Sequence, residues 1–209
     1  DLNFEAMRGL YDSTQTLFIH TDNVRDIMES VMFTRSNGVK RIVLVGGYDS
    51  YLIPGFLKQQ NIPVMIRRVH ELPMRNDEDV DLPYKLPALL QKAGVLFCLQ
   101  NEGDQEAIQI RNLAFYAGTA SAYGLSKEDA LSAITLNTAR ILGIDKTAGS
   151  IEADKDATLF VSTGDALDMR TNHIEIAFIR GRMIDLNNFQ MDLYEKYKEK
   201  YEKEGTLKK

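Results

Sequence analysis

Imidazole and carboxylate groups that close apolar runs are the side chains in this sequence best placed to do chemistry. His20 ends TLFIH (16–20), and His70 ends IPVMIRRVH (62–70) beside Arg67 and Arg68. Glu102 and Asp104 follow VLFCLQN (95–101). Imidazole serves as a metal ligand and as a proton carrier near neutral pH, and a carboxylate can do either job. Plainer roles stand beside these: a strand-end histidine bonded to a loop, a His70 that fixes a Pro-rich segment, an acidic group that caps the following helix. His173 belongs to a separate strand, TNHIEIAFI, and Cys98, inside VLFCL, reads as a small buried side chain.

The elements that must position these groups alternate. TLFIH is a strand; VRDIMESVMFTRSNG (24–38) has helical spacing at Ile27, Val31 and Met32; RIVLVGG (41–47) is a strand ending in glycines. SYLIPGFLKQQ predicts a short helix bent at Pro54, leading to strand 62–70 and a Pro- and Asp-rich loop to about Pro83. KLPALLQKAG is a helix, 95–101 a fourth strand, and Asp104 to Gly124 one long helix rich in small residues. Helix 126–142 is signalled by Ser126 with Asp129 three residues on and by Gly143 as its stop. Its expected role is packing on the outside of the barrel. Asp77, Glu78, Asp79 and Asp81 read as a solvated acidic edge, lacking the glycine and terminal Glu of a calcium loop.

Apolar strands alternating with helices indicate a parallel sheet covered by helices. Four such units make half of an eight-stranded barrel, which implies that the remaining units lie on an N-terminal part absent from this chain or on a second chain. A self-contained doubly wound sheet is the alternative, but it has no place for the strand-rich segment after residue 146. Three parts follow: a partial (β/α) barrel over 1–145, sandwich strands over 146–186 and a charged helix over 187–209. In that helix Leu193, Tyr194, Tyr197 and Tyr201 form a stripe expected to pack on the body, with assembly of subunits as its other use.

With 209 residues, 44% hydrophobic and 26% charged, the chain has a globular composition. A net charge of -5 without a dense basic patch argues against nucleic acid and leaves a small molecule as the expected partner. No run of about 18 apolar residues provides a membrane span. The chain opens at Asp1 inside a helical pattern without a leader, so a truncated or processed N-terminus is expected and the compartment, cytoplasmic or exported, stays open.

The segments AGV (93–95), GLSKEDALSAITLNTARILGI (124–144), GSIEADKDATLFV (149–161) and FIRGRMI (178–184) resemble the closing part of metal-dependent amidohydrolases, nearest to the imidazolonepropionase-like group. The resemblance implies an α/β fold, the second half (strands 5 to 8) of a TIM-type (β/α)8 barrel, plus C-terminal strands of a small β-sandwich. It also implies a divalent metal, usually zinc in this family, that activates water for hydrolysis of a non-peptide carbon–nitrogen bond, as in a cyclic amide. His20 then falls at a metal-ligand position, and His70 and Arg67 fall where substrate would be met. Glu102 takes the acidic catalytic position, with Asp104 as its competitor. The strand ending Val45-Gly46-Gly47 departs from the family: glycine, or the following Tyr48-Asp49, stands where the resemblance implies a histidine. These departures fit the alternative, a catalytically degenerate relative with a binding or structural role.

Overall fold

The computed structural model describes residues 1–101 and 106–203. Two short helices, α1 (Leu2–Ala6) and α2 (Gly9–Asp12), precede an alternating run. It consists of β1 (Leu17–Thr21), α3 (Val24–Ser36), β2 (Ile42–Gly46), α4 (Pro54–Gln59), β3 (Val64–Ile66), α5 (Leu82–Ala93) and β4 (Phe97–Leu99). Next come α6 (Glu106–Gln109), α7 (Leu113–Ala122), α8 (Lys127–Ile134) and α9 (Leu136–Leu142). The chain closes with β5 (Leu159–Ser162), β6 (Ile174–Ile179), β7 (Arg182–Met183) and α10 (Phe189–Lys203).

The first four strands pair in parallel in sequence order, with Phe18 opposite Val43, Val45 opposite Met65 and Met65 opposite Cys98. Parallel neighbours need a crossover, and α3, α4 and α5 provide one between each pair. Strands β5, β6 and β7 form a separate antiparallel sheet. The architecture is therefore α/β: a partial TIM-type barrel with a small antiparallel sheet.

Side chains alternate between the two faces of a strand, and here the faces have different partners. Ile42, Leu44, Val64, Ile66, Phe97 and Leu99 point into the main core, where they meet Ile27 and Val31 of α3, Leu90 of α5, Ala117 of α7 and Ala130 of α8. Burying a side chain such as Leu44 or Phe97 contributes roughly 1.5–3 kcal/mol each. Val43, Met65 and Cys98 face the other way and pack with Ile141 of α9. Burial raises the Cys98 thiol to about 12, leaving it an inert core side chain.

Several expected elements change shape. The segment 62–70 forms a strand only over Val64–Ile66, because Arg67 and Arg68 leave the sheet to reach carboxylates. Pro54 starts α4 instead of bending a helix, in keeping with its missing amide hydrogen. The described part of the expected Asp104–Gly124 helix is broken by a tight turn at Ile110–Asn112. Helix 126–142 begins as expected, with the Asp129 amide donating to Ser126 Oγ at 3.0 Å, and stops at Gly143. At Thr135, however, it breaks (φ -130°, ψ -91°). Its halves consequently serve opposite faces of the sheet: α8 packs in the outer core, as expected, and α9 does not.

Helix α10 buries no residue; Tyr194, Tyr197 and Tyr201 are all exposed, so the expected packing of this stripe on the body is not found. Lys198 lies over the Tyr194 ring and Lys200 over that of Tyr201. No described helix is long and apolar enough to cross a membrane.

Candidate functional site

The C-terminal ends of the parallel strands bring together residues 20–22, 46–49, 67–71 and 100–101, the end at which barrel folds carry their chemistry. His20 sits near the end of β1, opposite Val45, on the face away from the outer core, and is exposed. Two residues on, Asp22 is an organising group. Its Oδ1 accepts the Tyr48 amide at 3.1 Å and its Oδ2 accepts Arg67 Nη1 at 2.9 Å.

Gly46 lets the backbone wrap around this carboxylate. Its φ is +90°, and a Cβ there would stand 2.8 Å from Asp22 Oδ1. The position is thus closed to any side chain by Asp22. Gly47 continues the turn, donating its amide to Thr21 O at 2.8 Å, and the Asp49 amide reaches Asp22 O at 2.9 Å.

Asp49 is buried and carries the second carboxylate. Its Oδ2 accepts the Val24 amide at 3.0 Å, which satisfies the open N-terminus of α3, while its two oxygens receive Arg75 Nη1 and Nη2 at 3.2 and 2.6 Å. Arg75 also pairs with Glu78, which accepts the Tyr48 hydroxyl at 2.8 Å. The Arg75 guanidinium is held well above its ordinary value, first by its hydrogen bond to Asp49. Burial, with the Glu78 carboxylate second, pushes the Tyr48 hydroxyl up to about 12, so it stays protonated as a donor. Glu78 is therefore not part of a solvated acidic edge: its side chain is 9% exposed and tied down, whereas Asp77 and Asp79 are exposed as expected.

Arg67 lies at the same end of the sheet as His20, linked to it through Asp22. Its Nη1 bonds Asp22 and its Nε bonds Glu71 at 2.9 Å, and Arg68 joins Glu71 at 3.2 Å. Burial works against the Arg67 charge, but Glu71 and Asp22 outweigh it and the net shift is upward. His70 goes elsewhere. Its Nε2 lies 2.6 Å from Thr119 Oγ1 on α7, and its ring stands edge-on to Tyr116 with centroids 4.7 Å apart. Because the Thr119 hydroxyl donates to Phe115 O at 3.0 Å, Nε2 must be the protonated nitrogen. Burial of the ring, then the Arg68 charge, lowers the His70 pKa, although the residue as a whole is exposed. Glu102 and Asp104 lie outside the described residues. His173 is on β6's side of the antiparallel sheet, donating its amide to Ser162 Oγ at 3.2 Å.

Asp22, Tyr48, Asp49, Arg75 and Glu78 form the backbone of this end, and sequence reasoning passed over Arg75 as a participant. The short-range signal was Asp22-Asn23 before a helical pattern, which marks a helix start but not a partner 45 residues away. Among the described residues no three His, Cys, Asp or Glu side chains gather as metal ligands. With Asp22 and Asp49 committed to amides and arginines, the described residues do not fit a complete metal centre.

The architecture around this end is that of a partial (β/α) barrel. Residues 90–187 match the Amidohydrolase family. Among solved structures the chain is similar to an amidohydrolase from Thermotoga maritima MSB8, with 29% identity and a TM-score of 0.78 over 88% of this chain and 47% of that one. It is similar also to an adenosine deaminase from Xanthomonas campestris with bound zinc, at 20% identity and a TM-score of 0.59, covering 99% and 55% of the two chains. A third is the E. coli guanine deaminase, at 17% identity and a TM-score of 0.50, covering 88% and 51%. The chain spans about half the length of these structures. No curated protein matches it.

Proposed function

We propose that this chain is the second half, strands 5 to 8, of an amidohydrolase-type barrel that hydrolyses a carbon–nitrogen bond other than a peptide bond in a small molecule, such as a cyclic amide. The observation that carries the reading is the family match over residues 90–187 on a partial barrel whose β1 presents His20 at its C-terminal end. In this reading His20 is the chain's contribution to a divalent metal site, and the other ligands come from barrel strands outside this chain. Glu102, with Asp104 as competitor, takes the acidic catalytic role. Arg67 is a positioning residue: held by Asp22 and Glu71, it fixes the wall beside His20 and leaves substrate contact to its exposed edge. The motifs at 124–144 and 149–161 favour the imidazolonepropionase-like group within this class.

The second reading, a degenerate relative that binds without catalysis, is favoured by one feature: Asp22 stands where any side chain at Gly46 would have to go. Elemental analysis of the longest natural form of the protein, with His20→Ala alongside, separates the two. About one equivalent of zinc or another divalent metal, lost in the variant, supports the hydrolase; absence of metal from both removes His20 as a ligand and favours the binding protein.

A further inference from the structure

The sheet has a second concave end. An open pocket of about 480 Å3 lies where Ile42 opens β2 and Leu96 leads into β4, at the end of the sheet opposite Asp22 and Arg67, and Lys40, Arg41, Lys58 and Arg140 all line it. No Asp or Glu lines this pocket. Among the described residues none of the four cations makes an ion pair, whereas Arg67, Arg75, Lys85, Lys127 and Lys155 all do. In a chain with a net charge of -5, four convergent cations without a carboxylate run against the composition.

Three of the four have a partial answer. Lys58 Nζ lies 3.5 Å from where a Cβ of Gly94 would be, at the end of α5, and Arg41 Nη2 lies 3.2 Å from that of Gly143, at the end of α9. Each helix C-terminus carries roughly half a negative charge, which suits a nearby cation. Arg140 stands in the last turn of α9, and its charge helps to lower the Glu152 carboxyl pKa; Lys40 is left without such an answer. The floor is apolar, formed by Leu57, Ile62 and Ile141, and the pocket is of the size that holds small ligands, about 300–1,000 Å3.

We infer that this N-terminal end of the sheet binds a phosphorylated small molecule, its phosphate among Lys40, Arg41, Lys58 and Arg140 and its organic part on the apolar floor. The site is separate from the proposed hydrolytic end, and neither metal nor turnover enters its test. Calorimetric titration of the full chain with phenyl phosphate is expected to show saturable one-to-one binding, weaker by tenfold or more in Lys40→Gln/Arg140→Gln. A melting curve without ligand checks that the variant is folded. Should it fail to fold, single Arg140→Gln is titrated instead, with a loss of at least threefold expected. Inorganic phosphate is expected to bind less tightly; equal binding of the two would overturn the organic half of the proposal. Heat that never saturates, or equal affinity in wild type and variant, would overturn the site altogether.

Discussion

A glycine facing a carboxylate decides what the mouth of this sheet can become. Because a Cβ at Gly46 would stand 2.8 Å from Asp22 Oδ1 at a φ of +90°, placing a histidine there is expected to destabilise the protein instead of completing a metal site. Gly46→His should lose at least about 2 kcal/mol in urea denaturation, from left-handed strain and displacement of Asp22. A Gly46→His protein as stable as the parent would show that Asp22 can give way and would reopen the position to a ligand. At this scale the sequence was partly readable: His20 and Arg67 were recognisable as residues ending apolar runs and do come to one end of the sheet. His70 satisfied the same criterion yet lies on α7, because the strand that should have carried it stops at Ile66 when Arg67 and Arg68 turn toward Asp22 and Glu71.

Elements fared better where local chemistry sets them and worse where tertiary contacts do. Ser126, Asp129 and Gly143 mark the two ends of their helical stretch, but nothing between them announces the break at Thr135, which arises because Ile141 packs against Val43 and Cys98 on the opposite face. The expected helix 104–124 is likewise interrupted at 110–112, next to Gln109, whose Oε1 accepts Arg68 Nη1 at 2.5 Å. The contact between the post-β3 segment and α7 makes its own prediction. With its folded pKa lowered by burial, His70 is protonated in the unfolded chain first, so its share of stability is full above about pH 6.5 and falls as the pH drops through the folded value. Urea midpoints at pH 7.5 and 5.5 should differ less in His70→Gln, which keeps a donor toward Thr119 and does not titrate. An unchanged difference would assign the acid sensitivity to other groups.

Across the whole molecule, both β1 and β4 are edges of the parallel sheet, and β1 shows its unpartnered side chain Phe18, 38% exposed. The antiparallel sheet exposes Phe160, Val161, Ile176 and Ile179. Edges and apolar faces of this kind favour self-association, so the isolated chain is expected to elute and scatter light as a dimer or larger species; a monodisperse monomer would contradict this. The partial barrel and the small sheet were legible because alternation and strand length report on both; which surfaces stay open was not, because α10 has the spacing of a packed helix and buries nothing. The carboxylate of Asp49 ties the start of α3, its own turn and Arg75 of the long loop into one knot. That knot shares one fate among three distant stretches of chain: with the Asp49 amide also held by Asp22 O beyond β1, losing this one carboxylate would loosen the helix start, the turn and the long loop together.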